Sequence, residues 1–220
     1  MLIHQVAIKN FRLLADVDLV LEDQTTVIVG RNNSGKTSLS EVMRRLLADG
    51  SAAFQLEDFS SACYDHFCEA LEALNQGADE DAIRALIPTI ELRLKFTYDP
   101  AQPQLGPLGP FVIDLDPACA DALVVVRYEL KDGQLASFLE GQPKEALTPE
   151  ARVAFFRVLR ERIPTEFSVK IWAEDPNDRD NHRQLPPGAL RGLVKTGFIN
   201  AQRGLDDVTS RDSDVLAKPV

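Results

Sequence analysis

At 220 residues the chain is long enough to bury a sizeable core, as one large domain or two small ones. Its hydrophobic share of 45% is ordinary, and no apolar run approaches the ~20 residues of a membrane span, so no spanning helix is expected in this sequence. A formal charge of −10 counts against broad electrostatic attraction of this segment to DNA.

The chain opens without a basic n-region or a long apolar h-region, so its start reads as a first strand and not as a signal peptide, in keeping with a cytoplasmic protein. Leu2 to Ile8 and Val17 to Leu21 alternate like strands and flank the dipeptide Phe11-Arg12. The β-branched run Gln24-Thr25-Thr26-Val27-Ile28-Val29 is expected to be a buried strand of a parallel sheet. Directly after it comes Gly30-Arg31-Asn32-Asn33-Ser34-Gly35-Lys36-Thr37, a complete G-x-x-x-x-G-K-[ST] phosphate-binding loop, and from Ser38 to Leu47 apolar residues recur at helical spacing.

The chemistry of that loop follows residue by residue. Gly30 and Gly35 permit backbone angles and a close approach that a Cβ would forbid, so the N–H groups of Asn33 to Lys36 can converge on a phosphate at the helix N-terminus. Lys36, the candidate catalytic residue, can stabilise charge on the β- and γ-phosphates, and the Thr37 hydroxyl can ligate Mg²⁺. The expected cofactors are therefore ATP and Mg²⁺, held by residues 30–38. Arg12 is a further candidate, either flanking the nucleotide or supporting the first turn of the loop, with a surface salt bridge as its structural alternative.

Asp49-Gly50-Ser51 is expected to end the loop helix. Cys63 to Asn75 reads as helix, continued over Asp79 to Leu86, and Thr89 to Tyr98 as an amphipathic strand. Pro100 to Pro110 is expected to be an exposed loop, and Leu123 to Leu130 and Gln134 to Leu139 two strands joined by a hairpin turn at Asp132-Gly133. Thr148-Pro149-Glu150 opens a helix with an N-cap threonine and proline at the first helical position. Phe167 to Trp172 is another strand, Asp175 to Arg183 a surface loop, and Leu193 to Ile199 a last apolar run.

Other chemistries find little support. Cys63, Cys68 and Cys119 form neither a C-x-x-C pair nor an even set, and His4, His66 and His182 are scattered, so neither a zinc site nor a disulfide framework is indicated. A second acidic motif for Mg²⁺ and water activation is not evident. The run Phe111-Val112-Ile113-Asp114 is short and lies between Pro110 and Pro117.

The leading strand ending in Lys9-Asn10-Phe11-Arg12, a second strand, and Val27 to Ser38 together resemble the head of ABC-type ATPases of DNA maintenance, the SMC and RecF-like group. In its G-x-N-x-S-G-K-[ST] flavour the loop looks most like the ATPase domain of the OLD (overcoming lysogenisation defect) family of ATP-dependent endonucleases. That resemblance implies an α/β P-loop NTPase fold of partial ABC-head type, with a central mixed sheet, helices and an antiparallel β subdomain. It divides a single lobe into a P-loop core (1–87), the antiparallel subdomain with a helix (88–175) and a loop with a glutamine segment (176–220).

The resemblance also implies that Gln202, in Gly197-Phe198-Ile199-Asn200-Ala201-Gln202-Arg203-Gly204, senses the γ-phosphate through Mg²⁺, with Arg203 as a second candidate. The signature motif, the Walker B strand and a Toprim carboxylate cluster are not found, so the chain is expected to be the N-terminal lobe of a longer machine. Its partners would be a C-terminal lobe on the same or another chain, a second head in an ATP-dependent homodimer, and DNA bound by the whole assembly. Alone it would hydrolyse little ATP. Two other readings remain at this point: a nucleotide-sensing scaffold without nuclease activity, and a small-molecule P-loop kinase whose lid would use arginines between Asn177 and Arg191.

Overall fold

The computed structural model describes residues 1–47, 52–101, 104–114, 116, 118–142 and 148–194. Strands β1 (Leu2–Phe11), β2 (Leu14–Val20), β3 (Ile90–Thr97), β4 (Asp121–Leu130), β5 (Phe167–Glu174) and β6 (His182–Leu185) form one sheet in the order β2-β1-β3-β4-β5-β6, with every neighbouring pair antiparallel. The helices are α1 (Lys36–Leu47), α2 (Tyr64–Asn75), α3 (Glu80–Leu86), α4 (Leu135–Leu139) and α5 (Pro149–Glu166). The fold is mixed α/β.

Alternation along the strands decides which face is covered. Val6, Ile8, Leu92, Leu94, Val124, Val126, Ile171 and Ala173 point to one face, where they join Val42 and Leu46 of α1, Phe67 and Leu71 of α2, and Phe155 and Leu159 of α5 in a single core. Tyr128 closes an aromatic cluster with Phe54, Phe59 and Phe167, and its hydroxyl donates to the carbonyls of Phe54 (3.3 Å) and Ile163 (2.9 Å). Burial pushes that phenol up to about 12.

The opposite face is polar. There Arg93 and Arg127 each bridge both Glu91 and Glu174, a closed ring of charge spanning β3, β4 and β5. Burial opposes ionisation of Glu91, but the guanidinium groups of Arg127 and Arg93 outweigh it and hold the carboxyl below the usual carboxylate range.

Several local expectations change. Thr25 to Val29 is not a buried strand: residues 25–30 carry no regular structure, and Val27 (76%), Ile28 (43%) and Val29 (85%) are exposed, because no described strand lies alongside to pair with them. The second run of the expected hairpin is helix α4. Leu135, Phe138 and Leu139 are buried at three- and four-residue spacing, and Gly133 (φ +72°) turns the chain into that helix. Within the expected loop from Pro100 to Pro110 a 3₁₀ helix begins, Gly106–Phe111, burying Leu108 and Phe111. The last residues of the 175–183 loop belong to β6, whose turn is closed by Asn181 Nδ2 donating to buried Asp175 at 3.0 Å.

Other elements stand as the sequence suggests, including the Thr148 cap of α5, whose hydroxyl accepts from the Ala151 N–H. Pairing of β1 with β3 joins residues 2–11 to 90–97 in one sheet, across the division expected between 87 and 88. The expected helix end at 49–51 and the run beyond Val194 lie outside the described residues.

Candidate nucleotide-binding site

The phosphate loop is built on the β1–β2 turn. Asn10 (φ +59°) and Arg12 (φ +48°) both adopt the left-handed conformation there, which costs a side-chain-bearing residue about 1–2 kcal/mol. Tight tethering holds them: Asn10 Nδ2 donates to Thr89 O at 2.9 Å, Ser60 N–H to Asn10 O at 3.0 Å, and Arg12 N–H to Asp58 O at 2.9 Å. The next residues, Leu13 and Leu14, form the floor of the loop. A Cβ built on Gly35 (φ +90°) would come within 2.9 Å of Leu14 Cδ2, so glycine is required there both by conformation and by space.

Above that floor the loop turns through Asn33 (φ +64°) and enters α1 at Lys36. A Cβ on Gly30 would meet Ser34 Oγ at 2.7 Å, so the loop's two ends close tightly on each other. Lys36 Nζ donates to Gly30 O and Arg31 O, both at 2.6 Å, and lies 3.3 Å from Ser34 Oγ. The ammonium is thus centred on the loop itself. Arg31, Asn32, Asn33, Ser34 and Thr37 are exposed, while Gly35 and Ser38 are buried against the sheet.

The first-turn N–H groups of a helix have no intrahelical acceptor, and the axis dipole adds positive potential at that end. With a lysine over the loop and a hydroxyl at the first turn, the cradle fits a polyphosphate with Mg²⁺ on Thr37. Among the described residues no group of three or more His, Cys, Asp and Glu side chains could hold a metal ion, so a cation here would depend on Thr37 and the phosphates.

Other candidates fall elsewhere. Arg12 does not reach into the loop: its Nε and Nη2 donate to Asp58 Oδ1 at 2.9 and 2.7 Å. The same carboxylate accepts Arg45 Nη1 at 2.8 Å, and Arg45 lies nine residues along α1 from Lys36, ~13 Å of helix. Asp114 follows the 3₁₀ helix rather than ending a strand, and its carboxylate accepts the Asp116 N–H at 2.7 Å. Gln202 and Arg203 lie outside the described residues. Of the 177–191 arginines, Arg183 lies in β6 and donates to Pro110 O at 2.9 Å, Arg179 lines a groove on the polar face of the sheet, and Arg191 lines a cavity with Leu46 and Leu47 at the far end of α1 from the loop.

A groove of about 330 Å³ crosses the polar face of the sheet, lined among others by Lys9, Arg93, Lys95 and Arg179. Three of those cations are internally compensated: Lys9 by Asp16 at 3.6 Å, Lys95 by Asp121 at 2.8 Å, and Arg93 by the charge ring. This face offers little free positive charge to a nucleic acid. Asp58 and Arg45 are the residues that sequence reasoning passed over; the available signal was the acidic pair Glu57-Asp58 enclosed by Leu56 and Phe59.

A phosphate loop at the head of a helix, packed on a sheet that buries one face, defines a P-loop nucleotide-binding protein. The chain belongs to the AAA ATPase domain family, whose model matches residues 1–174. No curated protein matches it. Among solved structures, one described as "Structural biochemistry of ATP-driven dimerization and DNA stimulated activation of SMC ATPases" is similar at 17% identity and a TM-score of 0.34, over 59% of this chain and 64% of that one. No helix among the described residues is long and apolar enough to cross a membrane.

Proposed function

We propose that this chain is the ATP-binding lobe of an ABC-type ATPase head that controls DNA binding or cleavage in an OLD-like endonuclease of the cytoplasm. The observation that carries the nucleotide part is the loop's geometry: Lys36 centred over residues 30–34, with Gly35 packed on Leu14 at the start of α1. In this reading Lys36 neutralises the β- and γ-phosphates, the N–H groups of Asn33 to Lys36 cradle them, Thr37 holds Mg²⁺, Ser38 and residues 30–32 shape the loop, and Gln202 completes the metal shell. Arg12 supports the turn beneath the loop.

The partner is a second lobe, on the same or another chain. Exposure of Val27, Ile28 and Val29 just ahead of the loop favours it, since three consecutive exposed β-branched residues are a ready template for strand pairing. ATP-dependent pairing of two complete heads and DNA binding by that assembly follow from the same reading, with little hydrolysis by this lobe alone. The exposed run equally suits a nucleotide-sensing scaffold whose occupancy switches a protein interface.

The test is calorimetric titration of the protein and of Lys36→Ala with Mg·ATP. Binding weakened on the order of tenfold or more in the variant, about 1.4 kcal/mol, is expected. Equal affinity in the two proteins refutes the assignment.

A further inference from the structure

Asp58 is 6% exposed and all three of its oxygens accept hydrogen bonds. Oδ1 takes both Arg12 donors, Oδ2 takes Arg45 Nη1 (2.8 Å) and the Gln55 N–H (3.1 Å), and its main-chain oxygen takes the Arg12 N–H. Arg45 is held on its other side by Glu41, at 2.6 Å to Nε. A buried carboxylate so engaged is strongly sensitive to loss of its charge, because removal takes the carboxylate partner from Arg12 and leaves Arg45 with Glu41 alone.

We propose that Asp58 is a positioning residue for nucleotide binding: by gripping Arg12 of the β1–β2 turn and Arg45 of α1 with one carboxylate, it fixes both the floor of the phosphate loop and the axis of the helix that follows. The inference rests on the reading of residues 30–38 as the nucleotide site. Its basis is the strained turn. Two left-handed non-glycine positions with only Phe11 between them persist only where their surroundings over-determine them, and Asp58 supplies both a main-chain and a side-chain tether to the second. From Arg12 the chain passes directly to Leu13 and Leu14, against which Gly35 rests. From Arg45 the tether runs down α1 to Lys36. A shift of the turn relative to the helix therefore moves the Leu13–Leu14 floor under Gly35 relative to the helix start that carries Lys36.

The experiment compares wild type, Lys36→Ala, Asp58→Asn, Arg12→Gln and Arg45→Gln. Each is titrated with Mg·ATP at a temperature where circular dichroism shows it fully folded, and its thermal midpoint is measured separately. Asp58→Asn is expected to bind on the order of tenfold more weakly while folded, with each arginine variant weakened in the same direction. A folded Asp58→Asn with a lowered midpoint but wild-type affinity overturns the proposal, since a purely structural tether would behave that way. Should Asp58→Asn not fold, the two arginine variants decide, and wild-type affinity in both overturns it. Lys36→Ala separates the underlying reading: if it binds like wild type the nucleotide site is misassigned, whereas weakened Lys36→Ala beside unchanged Asp58→Asn refutes the positioning role alone.

Discussion

Gly35→Ala tests how closely the phosphate loop is fitted to its floor. Alanine at φ +90° is expected to lose about 1–2 kcal/mol from the left-handed backbone alone. Its Cβ would also sit 2.9 Å from Leu14 Cδ2, and Leu14 is buried, so the overlap adds the ~1–3 kcal/mol typical of overpacking. Gly77 supplies the control: it has φ +77° but nothing within 4 Å of a built Cβ, so Gly77→Ala carries the backbone penalty without the clash. Urea unfolding of both variants should therefore show Gly35→Ala less stable than Gly77→Ala by roughly 1–3 kcal/mol at unchanged m. Equal losses would refute the claim that the loop rests on Leu14. In the Leu14→Ala background the excess should shrink, as expected of contacting residues in a double-mutant cycle.

Other outcomes follow from the same structure. Tyr128→Phe leaves the carbonyls of Phe54 and Ile163 without their hydroxyl donor and should lower stability by about 1–2 kcal/mol in thermal unfolding. Because the folded carboxyl of Glu91 is depressed, its contribution is present at neutral pH and is lost as pH falls through that depressed value; Glu91→Gln should flatten the acid limb of a stability–pH profile. Val27→Lys with Val29→Lys should leave the unfolding midpoint of this chain within about 0.5 kcal/mol of wild type, because both positions are exposed, while reducing self-association seen by sedimentation.

The loop's conformation was legible because it is written in local backbone demands: glycines at 30 and 35 and a helix start at Lys36. The amphipathic strand read over 89–98, the strand read over 123–130 and the Thr148 cap were legible for the same reason, period, composition and capping being local signals. The run 25–29 misled because β-branched composition reports what a segment suits, and pairing depends on a neighbouring strand. At 135–139 a turn signal outweighed a short helical spacing. Asp58 gave only a faint local signal because its value comes from Arg12 and Arg45, 46 and 13 residues earlier in the chain, and no local pattern announces a three-way contact.

Pairing of Leu2 with Thr97 and of Lys9 with Glu91 makes everything between β1 and β3 a closed loop of chain, with the phosphate-binding segment and its helix inside it. A ribosome must therefore deliver the whole of β3 before the first strand can find its inner neighbour. Such long-range closure is slow to form. It also means that fraying of the β1–β3 ladder loosens the nucleotide site from outside, without any change to the loop's own residues.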